Sequence, residues 1–353
     1  MKVILATGGS GGHVVPAIRT AEVLVAQGHE VYFVGAFFGN IRSLVESKGF
    51  DFYPLAVKGF CWKSTLALII SLFQAFLFLQ KYKPNSIIGF GGYGSFPAVF
   101  VGALLNYPTL IHEQNVVQGK ANGFLAKIVK RIAISFEGSR KYFPEEKVIL
   151  TGCPCNVKRG EQPFITNNDQ KRVLAPFNKL YKNKKTVLVL GGSQGSQRIN
   201  SVFMETIKEL KDEIDFQVIH IAGKNDYDKL KQAYMYFEMP VALFAFLDQI
   251  QYAYSLADII ISRAGAVTVT ELALAQRPVI LIPYPYAGGH QKYNAQELAT
   301  THNAQIIEEK DLSTQSLKEA LIKGLKTQPS YKMETYFSDA AHRLAAQVLE
   351  IVC

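Results

Sequence analysis

The chain has 353 residues, 48 % apolar and 19 % charged, which excludes a disordered or collagen-like protein and leaves room for two domains with a core each. Four cysteines exclude a disulfide scaffold, and the apolar start at Val3–Ala6 meets Gly8 and Gly9 too soon for a signal peptide, so a reducing cytoplasmic setting is expected. The net charge of +9 is uneven: residues 1–165 hold 17 Lys and Arg against 9 Asp and Glu, residues 166–353 hold 21 against 20, and nucleic acid, anionic lipid or a phosphorylated substrate would each account for the basic first half.

Short apolar runs rich in β-branched residues read as buried strands. The first, Val3–Ala6, leads into Thr7-Gly8-Gly9-Ser10-Gly11-Gly12 and then His13, where a helix should begin. Val31–Val34 follows. Ile87–Gly89 ends at Gly91-Gly92-Tyr93-Gly94-Ser95, and Thr109–Ile111 ends at His112-Glu113-Gln114-Asn115, four polar residues that read as a loop. Ile132–Ile134 closes this half, and the polar stretch Gly160–Asn183 reads as a linker. The second half echoes the first: Thr186–Leu190 runs into Gly191-Gly192-Ser193-Gln194-Gly195-Ser196. Val218–Ala222, Val241–Phe244, Ile259–Ile261 and Val279–Ile282 are its further strands. Strands alternating with helical stretches predict an α/β fold of two doubly wound, Rossmann-like domains. Ligands then belong at the carboxyl ends of the strands, in a cleft between the domains.

The glycine turns suit phosphate, because bare backbone N–H groups approach it closely and a helix N-terminus adds positive charge. They are not a dinucleotide fingerprint: with Gly9 and Gly11 in place the third glycine would be Val14, and Gly35 and Ala36, not an acid, follow the next strand. No P-loop pattern is present. His13 reads either as a polar helix-start residue or as a general base, since imidazole changes charge near neutrality. In the second half, Arg263-Ala264-Gly265-Ala266-Val267-Thr268-Val269-Thr270-Glu271 opens a helix whose first N–H groups suit a pyrophosphate, with Glu271 a turn inside for a ribose. Ordinary helix-end electrostatics is the competing account. Gln291 and Asn294 offer neutral groups for sugar hydroxyls. No metal or cofactor is expected: Cys153 and Cys155 have no second ligand pair, and no D-x-D lies at a strand end.

The stretch Leu66–Leu79 is the most apolar. As a helix it would be about 21 Å long, short of the roughly 30 Å of a bilayer core. Lys58, Lys63, Lys81 and Lys83 flank it, with Phe60 and Trp62 just before it. It reads either as a core helix or as an interfacial helix whose lysines meet an anionic leaflet.

Taken in order, these motifs resemble glycosyltransferase family 28, and within it the enzymes that add N-acetylglucosamine to undecaprenyl-linked lipid I. The resemblance covers essentially the whole chain. It implies a GT-B fold with an acceptor-binding, membrane-associating domain over 1–160, a donor-binding domain over 161–337, and a closing helix over 338–353 that returns to the first domain. It implies inverting transfer from UDP-N-acetylglucosamine to the C4 hydroxyl of the muramic acid unit, giving lipid II for peptidoglycan and so serving cell shape and division. His13 would be catalytic. Ser10, Gly11, Gly12 and Asn115 would reach donor or acceptor, Leu247 the uracil, and Ser193 with Ala266, Val267 and Thr268 the diphosphate. Val269 and Thr270 continue that turn to Glu271 at the ribose, with Gln291 and Asn294 at the sugar. No cofactor, metal or nucleic acid is implied. The setting would be peripheral, at the cytoplasmic face of the cell membrane, among other cell-wall synthesis proteins. One segment departs from the family: Thr151-Gly152-Cys153-Pro154-Cys155-Asn156 stands where Thr-Gly-Asn-Pro-Val-Arg is usual. The arginine that approaches the donor is missing, and Lys158 and Arg159 are the nearest cations in sequence.

Overall fold

A computed structural model describes residues 1–8, 11–36, 41–57, 65–157, 177–181, 183–192, 195–210, 213–327 and 338–352. Two compact units are formed, one of Met1–Cys155 with Thr335–Cys353 and one of Asn156–Glu334.

The first unit runs β1 (Lys2–Thr7), α1 (Gly11–Ala26), β2 (Glu30–Ala36), α2 (Ile41–Glu46), β3 (Phe52–Leu55), α3 (Thr65–Tyr82) and β4 (Ser86–Gly89). It continues with α4 (Gly92–Leu104), β5 (Thr109–Glu113), α5 (Lys120–Leu125), β6 (Arg131–Ile134) and β7 (Val148–Leu150). The strands make one parallel sheet in the order β3-β2-β1-β4-β5-β6-β7. The second unit runs β8 (Lys185–Leu190), α6 (Gln197–Leu210), β9 (Phe216–Ile221), α7 (Tyr227–Tyr234), β10 (Val241–Phe244) and α8 (Ile250–Leu256). It continues with β11 (Ile259–Ser262), α9 (Ala266–Ala275), β12 (Val279–Leu281), α10 (His290–Thr301), β13 (Ala304–Ile306) and α11 (Thr314–Lys326). Its sheet is also parallel, ordered β10-β9-β8-β11-β12-β13. A last helix, α12 (Ala340–Glu350), belongs to the first unit.

The central strands are covered on both faces, which is why they read as unbroken apolar runs. Val3, Leu5, Ile88 and Leu110 pack with α1 and α12 on one face, and Ile4, Ala6, Ile87 and Ile111 pack with α3 and α4 on the other. In both sheets the strand order reverses beside the first strand, between β1 and β4 and between β8 and β11. That reversal opens a crevice at the carboxyl ends, and the glycine turns lie there in both units.

The structure adds three strands that the apolar runs do not predict, β3, β7 and β13, and each is a sheet edge. The runs of β3 (Phe-Tyr-Pro-Leu) and β13 (Ala-Gln-Ile) are broken by polar residues or proline, and that of β7 (Val-Ile-Leu) is apolar but only three residues long; Pro54 in β3 is tolerated where one side of the ladder is unpaired. A second difference concerns His112 and Glu113. They do not form a loop but complete β5, and with Gln114 they are 0–1 % exposed. Their polar groups are satisfied by one another and by nearby backbone, which lets polar residues occupy a buried strand end.

Helix α3 has one buried side and one exposed apolar side. Ser71, Ala75, Phe78 and Leu79 form a buried stripe at helical spacing. Leu66, Ile69, Ile70, Phe73, Phe76 and Leu77 form an exposed apolar stripe. By length and composition alone the helix could cross a membrane. Next to it, α4 packs between α3 and α5, with Phe96 stacked on Phe100 at 5.3 Å and Phe96 5.6 Å from the exposed Phe124. Lys81 and Lys83 are exposed beside the stripe, while Lys58, Phe60, Trp62 and Lys63 lie outside the described residues.

Candidate functional site

In the first unit the site forms where β1, β4 and β5 end. Gly11 and Gly12 begin α1 and His13 follows, all half-buried. Gly91 and Gly92 have φ of +80° and +71°, the left-handed region that favours glycine. They also floor the imidazole. A Cβ at Gly91 would stand 3.4 Å from His13 Cε1, and one at Gly92 would stand 3.3 Å from Cδ2 and 2.6 Å from the Gly8 carbonyl. On its other side His13 Nδ1 lies 3.0 Å from Gln114 Oε1. Gln114 donates from Nε2 to His112 Nδ1 at 2.9 Å and to the His112 carbonyl at 3.0 Å. His112 Nε2 in turn donates to the Gly152 carbonyl at 3.0 Å. Burial pushes His112 down to about 4, so it is neutral at physiological pH.

Glu113 takes another role. Its carboxylate accepts from Asn115 N at 3.0 Å, Gly119 N at 2.9 Å, Asn122 Nδ2 at 2.9 Å and Asn115 Nδ2 at 3.3 Å. Both oxygens are engaged in pinning the turn that presents the half-buried Asn115. Gly152 and Thr151, in the segment that departs from the family pattern, are held from within the unit: Gly152 by His112, and the Thr151 carbonyl by Arg343 of α12 at 3.0 Å. Lys158 and Arg159 lie outside the described residues, as does Ser10.

In the second unit the site is made of backbone framed by side chains. Gly195, with φ +76°, sits so close to the Ala222 carbonyl that a Cβ would approach it to 2.4 Å. Ser193 lies outside the described residues. Across the sheet reversal, Gly265 caps α9, so Ala266, Val267 and Thr268 supply first-turn N–H groups that have no acceptor inside the helix. The turn before them is braced. Arg263, 7 % exposed, donates to Ser196 Oγ at 2.7 Å and to the Ile282 carbonyl at 3.1 Å, pairs with Glu309, and lies over the Tyr284 ring at 5.4 Å. Gln291 Oε1 accepts from Ala264 N at 3.1 Å and Tyr284 N at 3.0 Å, and the fully buried Asn294 donates to the Ala264 carbonyl at 3.2 Å. Val269 and Thr270 are buried behind the turn. Glu271, 7 % exposed, accepts from the Tyr254 hydroxyl at 3.2 Å. Leu247 lies half-buried in the loop after β10.

Those of the sequence-predicted residues that the structure describes thus collect at two sheet ends, one in each unit. In the sequence Arg263 and Gln114 stand only as members of motifs; their bracing roles become visible through Ser196, Glu309 and His112. Tyr254 and Glu309 carry no local signal, being 17 and 46 residues from their partners. Among the described residues no cluster of three His, Cys, Asp or Glu side chains is arranged to hold a metal.

The model of the glycosyltransferase family 28 N-terminal domain matches residues 3–134, and that of the family 28 C-terminal domain matches residues 186–349. A protein of Halothermothrix orenii, named UDP-N-acetylglucosamine–N-acetylmuramyl-(pentapeptide) pyrophosphoryl-undecaprenol N-acetylglucosamine transferase, is 36 % identical over 339 residues, covering 90 % of this chain and 88 % of that protein. One of the same name from Geobacter metallireducens is 33 % identical over 341 residues, covering 94 % and 91 %. Among solved structures, Acinetobacter baumannii MurG superposes with a TM-score of 0.75 at 24 % identity, covering 99 % of each chain. The UDP-GlcNAc 2-epimerase of Neisseria meningitidis bound to UDP-GlcNAc gives 0.73 at 14 % identity, covering 99 % of this chain and 100 % of that one. Both likenesses are of fold, that of two Rossmann-like domains.

Proposed function

The chain belongs to glycosyltransferase family 28, and on that premise we propose that it transfers N-acetylglucosamine from UDP-N-acetylglucosamine to the C4 hydroxyl of the muramic acid unit of lipid I, forming lipid II. The observation that carries this reading is the pairing, at the carboxyl end of the second sheet, of the α9 N-terminus with the buried Glu271. N–H groups at Ala266–Thr268 suit a diphosphate, and a carboxylate one turn further suits the two hydroxyls of a ribose. Ser193, Gln291 and Asn294 complete the donor site, with Leu247 toward the uracil.

The acceptor oxygen attacks C1 of the donor sugar as the C1–O bond to UDP breaks, so the new β1→4 bond forms with inversion. UDP leaves with its negative charge facing the helix N-terminus. His13 takes the proton from the attacking hydroxyl, and Ser10, Gly11, Gly12 and Asn115 hold the reacting sugars. The same fold also serves 2-epimerases, but that chemistry needs free carboxylates for acid and base work. Glu113 does not fit it, because its two oxygens already accept four N–H bonds.

The acceptor's lipid places the reaction at a bilayer. The exposed stripe Leu66, Ile69, Ile70, Phe73, Phe76 and Leu77 supports docking through the first unit, with lysines beside it for anionic headgroups at the cytoplasmic face. The deciding experiment incubates the protein with UDP-N-acetylglucosamine and a lipid I analogue. Disaccharide product with equimolar UDP is expected. Epimerised sugar nucleotide without disaccharide would replace this reading with the epimerase one.

A further inference from the structure

The hydrogen bonds behind His13 can be followed from one atom whose role admits no alternative. The Gly152 carbonyl oxygen only accepts, so His112 Nε2, 3.0 Å away, carries a hydrogen. Ser135 Oγ, 3.3 Å from the same nitrogen, is consistent with this, because its own hydrogen goes to the Glu113 carbonyl at 2.8 Å. A neutral imidazole has one N–H, so His112 Nδ1 is an acceptor, facing Gln114 Nε2 at 2.9 Å. The Gln114 amide cannot be turned over, since the His112 carbonyl stands 3.0 Å from the same nitrogen. Its oxygen therefore faces His13 Nδ1 at 3.0 Å, and that nitrogen must donate. The remaining nitrogen of a neutral His13, Nε2, then bears the lone pair. It has no hydrogen-bond partner among the described residues.

We propose that Gln114, itself fixed by His112, is a positioning residue that sets the tautomer of His13 and so leaves Nε2 as the base. The links behind His13, Gln114 and His112, carry no charge. Among the described residues no carboxylate touches His13, and the nearby Glu113 is engaged by Asn115, Gly119 and Asn122. Gln114 thus selects the nitrogen and fixes the plane of the ring, with Gly91 and Gly92 as its floor, and passes no proton onward. This inference rests on the reading of His13 as the acceptor's base.

The test uses the full chain labelled with ¹⁵N-histidine and a two-bond ¹H–¹⁵N spectrum at a pH where His13 is neutral. The His13 signals are assigned by their loss in His13→Gln. Wild type should show Nδ1 protonated and Nε2 bare. In Gln114→Met, similar in length but unable to accept, the populations should move toward Nε2–H. Turnover should fall roughly tenfold or more, as when an outer partner of a histidine is lost, with the KM for UDP-N-acetylglucosamine unchanged. Protonated Nε2 in wild type, or an unaltered tautomer in Gln114→Met, overturns the proposal. Should Gln114→Met not fold, the wild-type spectrum decides alone. The two readings fail separately: full turnover in His13→Ala removes the base while the spectra still test Gln114, and an inactive His13→Ala with Nε2–H in wild type removes Gln114 only.

Discussion

Each sheet buries one neutral histidine, His112 on β5 and His220 on β9, and the two are wired alike up to the last link. In the second unit Asn200 Nδ2 donates to the Ala222 carbonyl at 2.9 Å and to Asp226 at 2.8 Å. That turns Asn200 Oδ1 toward His220 Nε2 at 3.0 Å and leaves His220 Nδ1 to accept from the Tyr234 hydroxyl at 2.8 Å. The series closes on a buried phenol and ties α6 and α7 to β9. In the first unit the equivalent series does not close: it ends on a second imidazole, half-buried over two glycines. One network is a fastening and the other an aiming device, and the difference lies in the terminal group: a buried phenol in one, a half-buried imidazole in the other.

Acid should affect both networks most. Burial lowers His112 to about 4 and His220 to about 3, against 6.5 for exposed imidazole. Between pH 6.5 and those values the unfolded chain binds protons that the native chain does not, so stability falls as pH falls, by several kcal/mol for each histidine. Urea midpoints at pH 7, 5 and 4 should drop in that order, and equal midpoints would mean that neither ring is held neutral. The next effect separates the units: His13→Ala should lower turnover by roughly 10²–10⁴ while UDP affinity stays near wild type. Retained turnover in that variant would remove His13 as base. Glu271→Ala should weaken UDP binding by about 10- to 100-fold, the worth of hydrogen bonds to a charged group, and leave lipid binding alone. Calorimetry showing unchanged UDP affinity would take Glu271 out of the donor site. Tyr234→Phe should lower stability by about 1–3 kcal/mol, because His220 Nδ1 loses its donor, with no change in turnover. A lowered rate in Tyr234→Phe would break the distinction between fastening and aiming. Smallest is the membrane term: replacing Lys58, Lys63, Lys81 or Lys83 by Gln should weaken binding to anionic vesicles by about 1 kcal/mol each at low salt. Vesicle binding unchanged in the quadruple variant would assign these lysines to ordinary solvated surface.

What the sequence made legible follows burial. Strands such as Val3–Ala6, Thr186–Leu190 and Ile259–Ile261 are covered on both faces and announce themselves as apolar runs. Phe52–Leu55, Val148–Leu150 and Ala304–Ile306 lie at sheet edges; the first and last are mixed in character, and the apolar Val148–Leu150 is only three residues long. Glycine turns were legible because only glycine accepts the φ of Gly91, Gly92 and Gly195. The strand-end polar cluster misled for a physical reason. His112, Glu113 and Gln114 read as solvated, yet their partners Gly152, Gly119 and Asn122 arrive from 6 to 40 residues away. Arg263 likewise acquires its role only when Glu309 is folded against it.

The placement of α12 has a consequence for synthesis. Leu344, Ala345, Val348 and Ile351 complete the same apolar cluster as Val14, Ala17, Ile18 and Ala21 of α1. A nascent chain reaches Ala340 about 185 residues after Cys155, a delay of roughly 10–40 s at about 5–20 residues/s. Over that interval the whole second unit is made, while the cluster around α1 still lacks Leu344, Ala345, Val348 and Ile351. The first unit, begun earliest, therefore completes its apolar cluster last, only once the final helix has left the ribosome.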